Sequence, residues 1–275
     1  MGRRLVEAAH DWAVRAGLRE MRMHVFGGDH AARSFYQSLG YSPGATQMHR
    51  SLPLADPVLR IVLARGSEGT GMEDLLEPAA RRIAGLVPGP APIESLDYPA
   101  TATITSFDWP GWVRLGSSPR EGIRALVTLL EDHAAHSPTV PVVLMGFSQG
   151  ALVITEALTP PRRRHHGFAA PALSDRALGV VRAAVSVGNP SFRAGEPFNR
   201  GTPAPGVNGM RARTPGLLDH VADRVFDFAE HDDVSAQHLR TSTVEGHLAY
   251  GARGYVERIV EAVEPLLRTS APERP

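Results

Sequence analysis

A lone serine stands between two glycines in Gly146-Phe147-Ser148-Gln149-Gly150. An apolar run, "TVPVVLMGF", leads into it, and "QGALVITEAL" follows with helical character. G-x-S-x-G placed between a strand and a helix is the pattern of a nucleophile elbow. The turn there is sharp and strained, and small flanking residues let it close. The pattern by itself also fits a tight turn with a satisfied serine. A serine nucleophile needs a base, and the base needs a group to orient it. In hydrolases of the α/β class the acid follows the serine and the histidine comes last. The segment "RVFDFAEHDDVSAQHLRTSTVEGHLAYG" offers both. Asp232 and Asp233 stand just past an apolar strand. His247 lies in a loop before the last helix, where a base could reach back over a sheet. His238 follows the acids closely and reads as a surface histidine. His231, Asp232, Asp233 and His238 match no established metal-ligand spacing.

The elements around these residues alternate. "VLRIVLA", "IESLDYPA", "TVPVVLMGF", "GVVRAAVSVG" and "RVFDFAE" read as strands. "GMEDLLEPAARRIAGLV", "SSPREGIRALVTLLEDHAAHSP", "QGALVITEAL" and "GYVERIVEAVEPLL" read as helices, the second with proline in its first turn and proline past its end. Fully apolar strands alternating with helices predict a doubly wound, mostly parallel sheet with helices on both faces. The first fifty residues read separately. Leu5, Ala9, Trp12 and Ala16 recur at helical spacing, and Gly17 is a stop. "MRMHVF" alternates as a strand with Met21, Met23 and Val25 on one side, and "HAARSFYQSLGY" is a short helix closed by Gly40. "SLPLADP" is a candidate linker. The expected division is 1–52, an α+β segment; 57–270, the α/β domain; and 271–275, a disordered tail.

The chain has 275 residues, no cysteine and a formal net charge of zero. The charge balance supplies no field to recruit nucleic acid or anionic membrane. The absence of cysteine excludes disulfides and thiolate metal sites. No apolar run reaches membrane-spanning length, and the acidic residues near the N-terminus do not suit a secretory signal. Arg162–His166, "RRRHH", reads as a solvated basic loop. Trp109 and Trp112, and with them Phe168 and Phe198, are candidates either for an acyl groove or for packing.

From about residue 58 onward the chain resembles the cutinase family of serine esterases. The resemblance rests on "LARGSEGTG", "LDYPA", "MGFSQGA", "VFDFAEHDDVS" and "HLAYG", in that order. It implies an α/β-hydrolase fold with Ser148 as nucleophile and His247 as base. It assigns the acid to Asp232, the aspartate of the family's Asp-x-Val-Cys, with Ser235 in place of the cysteine. It implies an oxyanion hole built from the backbone N–H groups of Gln149 and Ser67, to which the Ser67 hydroxyl adds a bond. The absence of cysteine and the extended loop Val187–Gly209 between the last two strands are more similar to the phage lysin B enzymes, cutinase-like esterases that release mycolic acids. Residues 1–52 resemble the C-terminal half of a GNAT-type N-acetyltransferase, through "GRRLVEAA", "ARSFYQSLGY" and "MHRSL". There Tyr36 matches the family tyrosine, and Asp29 stands where an asparagine is usual. Most of the phosphate-wrapping turn is missing, so no acetyl transfer is expected.

The expected activity is therefore hydrolysis of a carboxylic ester with an apolar acyl chain, of lipid, polyester or mycolate type. No cofactor, metal, nucleic acid or obligate protein partner is required. The alternatives are a degenerate hydrolase fold used for binding and, more remotely, an acetyltransferase.

Overall fold

The computed structural model describes residues 2–24, 30–43, 47–51, 56–104, 113–114, 116–166 and 169–268. The chain divides into two compact units, Met1–Val58 with Val87–Pro92, and Leu59–Leu86 with Ile93–Pro275.

The first unit carries α1 (Gly2–Arg15), β1 (Glu20–His24), α2 (His30–Ser38), β2 (Ser42–Pro43) and β3 (Gln47–Ser51). Its strands form an antiparallel sheet in the order β1-β3-β2, with Met23 opposite Met48. Met21 and Met23 pack with Val6, Phe35, Tyr36, Leu39 and Tyr41. The α1 face differs from the expected one. His10 and Ala13 are buried, whereas Leu5 and Trp12 are 73% and 61% exposed. Leu5, Ala9, Trp12 and Ala16 share a periodicity that several faces of an alanine-rich helix satisfy. The buried hydrogen bond between His10 Nε2 and the Tyr41 hydroxyl (2.9 Å) belongs to the other face. Val25 and Asp29 lie outside the described residues.

The second unit contains β4 (Arg60–Ala64), α3 (Glu77–Ala84), β5 (Ile93–Ser95), the small hairpin β6 (Thr103–Ile104) and β7 (Val113–Arg114), α4 (Ser118–His136), β8 (Val142–Phe147), α5 (Gln149–Leu158), α6 (Asp175–Val180), β9 (Val181–Val187), β10 (Asn199–Thr202), β11 (Val225–Glu230), α7 (Val244–Leu248) and α8 (Tyr255–Arg268). Six of the strands form one parallel sheet in the order β10-β11-β9-β8-β4-β5. The central strands are buried on both sides: every residue of β8 and β11 is buried, and all of β9 but Arg182. Each Val or Leu so covered stabilises the fold by roughly 1.5–3 kcal/mol.

The connection β4 to β5 runs one way along the sheet, and β5 to β8 runs the other. Right-handed crossovers then put α3 and α4 on opposite faces. The packing agrees, since α3 meets α8 while α4 meets α5 and α6. Between β4 and β8 the chain therefore leaves in opposite directions, which opens a crevice at the carboxyl ends of those strands.

Two expectations need correction. The segment Val187–Gly209 is not all loop, because Asn199–Thr202 forms β10 on the edge of the sheet, parallel to β11. The basic run is not all solvated. Arg162 and Arg163 are exposed, but Arg164 is buried, and its guanidinium donates to the carbonyls of Thr159, Ala157, Ala170 and Pro171. The His165 and His166 backbone N–H groups donate to the buried Glu156 carboxylate. Phe198 sits in the main core cluster, and Trp109, Trp112 and Phe168 lie outside the described residues. No described helix is long and apolar enough to cross a membrane.

Candidate active site

Ser148 joins β8 to α5 with φ 52° and ψ −115°, one of only three non-glycine residues at positive φ among the described residues. Such a conformation costs on the order of 1–3 kcal/mol and persists only where the surroundings impose it. Here they do. The Ser148 N–H donates to the Val187 carbonyl (2.9 Å), and the Ser148 carbonyl accepts from Leu152 N–H (3.1 Å). The flanking glycines are steric requirements. A Cβ on Gly146 would come within 2.6 Å of the Gly150 carbonyl carbon, and one on Gly150 would overlap the Ala64 carbonyl.

The hydroxyl that this turn presents is 2.9 Å from His247 Nε2. Across the ring, His247 Nδ1 is 2.8 Å from Asp233 Oδ1. His247 lies on α7, whose start is capped by the Thr243 hydroxyl accepting from Gly246 N–H. The acid and histidine segments are pinned together by backbone bonds, Thr243 N–H to the Asp232 carbonyl (2.7 Å) and Val234 N–H to the Thr243 carbonyl (3.3 Å). Phe147 stacks on the His247 ring at 4.8 Å between centroids. Gly188, at φ 60°, leaves the space that the ring needs, since a Cβ there would come within 2.9 Å of His247 Cε1.

The resemblance assigned the acid to Asp232; the structure places Asp233 against His247 instead. Neighbouring side chains in this turn point opposite ways. Asp233 points inward and is fully buried. Asp232 points outward, where its carboxylate takes two bonds from the Arg253 guanidinium, at 2.7 and 2.8 Å. That guanidinium holds Asp232 below the usual carboxylate range. At Asp233 burial opposes ionisation, but His247, the Tyr250 hydroxyl and backbone N–H groups outweigh it and hold the carboxyl below its ordinary value. Oδ1 also accepts from Ser235 and Ala236 N–H, and Oδ2 accepts from the Tyr250 hydroxyl at 2.7 Å. An ionised Asp233 only accepts, so His247 carries its proton on Nδ1 and offers the Nε2 lone pair to the Ser148 hydroxyl.

Tyr250 was not singled out from sequence. Its hydroxyl accepts from Glu230 N–H (3.0 Å), which turns its own proton towards Asp233. Burial, with Asp233 beside it, keeps that phenol protonated well above its usual range. The only signal in sequence is the tyrosine three residues after the histidine. His238 is exposed. Among the described residues, possible ligand atoms of Glu230, His231 and Asp232 come within 4.8 Å of one another. Arg253 already pairs with both Asp232 and Glu230, so a cation is in place there.

Gln149 opens α5, where the first backbone N–H groups of a helix have no partner within it. The Ser67 loop follows β4 across the crevice. The two are tied by the Gln149 side-chain amide, which donates to the Ser67 hydroxyl at 3.0 Å. Both sequence-named residues thus flank the elbow.

A model of the cutinase family matches residues 55–264 and leaves residues 1–54 outside. The chain is 29% identical over 161 residues to acetylxylan esterase 2 of Talaromyces purpureogenus, covering 58% of this chain and 66% of that protein. It is 28% identical over 142 residues to cutinase 11 of Verticillium dahliae, covering 51% and 46%. The matches thus span about half to two thirds of these relatives' lengths. A solved acetyl xylan esterase superposes with a TM-score of 0.63 at 24% identity, over 78% of this chain and all of the other. Lysin B of Mycobacteriophage D29 reaches a TM-score of only 0.44, too low to carry the expected likeness. With most of its length under one family model and the α/β-hydrolase sheet in place, the chain belongs to the cutinase family.

Proposed function

We propose that the protein is a serine esterase that hydrolyses carboxylic esters through a Ser148–His247–Asp233 triad. The observation that carries this reading is the unbroken hydrogen-bond chain from Ser148 Oγ through His247 to Asp233, set on a strained elbow at the sheet's switch point. A merely structural serine would not need a positive φ and an imidazole backed by a buried carboxylate. In the first step His247 Nε2 takes the Ser148 proton as Oγ attacks the ester carbonyl. Asp233 orients the ring and stabilises the imidazolium. The developing oxyanion is received by the backbone N–H groups of Gln149 and Ser67, each such donor being worth roughly 3–4 kcal/mol in the transition state. His247 then gives its proton to the leaving alcohol. Water, activated by the same imidazole, releases the acid from Ser148. No metal or organic cofactor enters.

The acyl group is proposed to be apolar and longer than acetyl. Val244 and Leu248, on the short helix that carries His247, are 55% and 45% exposed, one turn apart. They offer an acyl chain an apolar surface beside the base. Relatives named acetylxylan esterase make acetyl esters the competing choice. A p-nitrophenyl ester series from acetate to dodecanoate tests both points. Ser148→Ala is expected to abolish turnover with an unchanged circular dichroism spectrum. The wild type is expected to prefer mid-length chains. A maximum at acetate would favour the short-acyl reading, and activity retained in Ser148→Ala would reject the triad.

A further inference from the structure

Phe147 ends β8 directly before the nucleophile, and its side chain is buried. Its ring stacks on that of His247, with centroids 4.8 Å apart and planes 27° from parallel. The imidazole therefore meets the face of the benzene ring and not its rim. The face carries the negative end of the ring quadrupole. The Phe147 ring is held in that pose. A Cβ on Gly71 would come within 2.4 Å of Phe147 Cγ, and one on Gly66 within 2.9 Å of Cδ1, so the loop after β4 packs closely against it. Tyr250 adds a T-shaped contact at 6.0 Å. His247 is buried as well, so no water screens the pair. The other charges around the imidazole are already matched. Asp233 bonds Nδ1, and the Arg253 guanidinium holds Asp232. Glu230 accepts from the Thr202 and Tyr255 hydroxyls and lies 3.7 to 3.8 Å from His231, Arg253 and Arg258. Glu245 on α7 and Glu68 on the loop after β4 are exposed.

We propose that Phe147 is a positioning residue whose π face fixes the plane of the His247 ring and meets the positive charge that the ring acquires when Nε2 takes the Ser148 proton. This rests on the esterase reading above. Phe147 exchanges no proton and forms no bond. In the resting state His247 is neutral, and the stacking contributes packing. In the transition state the ring becomes an imidazolium, and the attraction of a cation for a π face is added. An interaction that strengthens only as the transition state forms raises kcat and leaves KM alone.

Fluorination of this one ring tests it. Mono-, di- and trifluorophenylalanine placed at position 147 withdraw electron density from the π face while nearly keeping the ring's shape, so packing is preserved. In the full-length protein kcat, KM and the pH profile of kcat/KM are measured for a p-nitrophenyl ester, with circular dichroism as the check on folding. The expected result is a stepwise fall in kcat with each fluorine, reaching roughly tenfold for the trifluoro ring, with KM within about twofold. The acid limb of the profile should move to lower pH by about half a unit or more along the series, because the charged imidazole loses support. Phe147→Leu, which has no π face, should lose at least as much kcat as the trifluoro ring. A kcat that stays within about twofold across the fluorinated series, or an acid limb that does not move, would overturn the inference even if Phe147→Leu is damaged, since only packing would then be at work. A wild type no more active than Ser148→Ala would remove the esterase reading and this inference with it. That result is distinct from an active wild type whose fluorinated series is flat.

Discussion

At Asp233 two opposing effects meet: burial, which penalises a carboxylate charge, and a shell of donors, which favours it. The donors prevail, and the carboxyl stays below its ordinary value. An acid that stays ionised can keep His247 in the tautomer with Nδ1 protonated. Asp233→Asn is therefore expected to lower kcat on the order of 10⁴-fold. Asp232→Asn breaks only a partly exposed pair with Arg253 and should change kcat by less than about threefold and stability by less than about 1 kcal/mol. Steady-state kinetics on the two variants, with one of them far more damaged, decides the assignment. The same shift has a stability consequence. Asp233 has a folded pKa below its unfolded value of about 3.9, so its stabilising contribution is complete above that value. The contribution is lost as pH falls through the lowered folded value. Thermal melts should show a steeper loss of Tm below about pH 4 in the wild type than in Asp233→Asn. Tyr250→Phe removes the donor to Oδ2 and leaves Glu230 N–H without its partner. A loss of roughly 1.5–3 kcal/mol in urea denaturation is expected.

The elbow shows why some elements could be read from sequence and others could not. Strand, turn and helix there are contiguous, and the need for Gly146 and Gly150 is written beside the serine. Gly150→Ala would drive a Cβ into the Ala64 carbonyl of the neighbouring strand, which cannot yield without parting β4 from α5. A destabilisation of about 3 kcal/mol or more, read by urea titration, and loss of ester turnover are expected together. The Asp232–Asp233 choice was not legible in the same way. It depends on which way a turn faces, and that is set by bonds to Thr243 ten residues on. The β10 strand, "NRGT", has no apolar alternation and a single branched residue, Thr202, and is held in place by the edge that β11 offers it. The bonds of the Gln149 side-chain amide join residues 31 to 82 positions apart, beyond any local pattern.

On the scale of the whole chain, the legible part is the unit that the family model covers. Its central strands are buried on both faces, so apolar runs mark them, and the switch between β4 and β8 follows from strand order alone. The first unit is small, and alanine-rich α1 satisfies more than one helical face, so its inner side could not be chosen from periodicity. No residue of the proposed triad or of the proposed oxyanion hole lies before Leu59, and the family match opens at residue 55. The first unit also has a core of its own around Leu39 and Tyr41, closed by its own sheet. A shortened chain beginning at Ala55 keeps Val58, whose N–H donates to the Pro90 carbonyl (2.9 Å), and so keeps the anchor of the 87–92 loop. That chain is expected to be soluble, to give a cooperative melt, and to turn over p-nitrophenyl esters with kcat and KM within about twofold of the full chain. Aggregation, or a fall in kcat with fluorophosphonate labelling of Ser148 equally diminished, would instead make the first fifty residues a working part of the esterase.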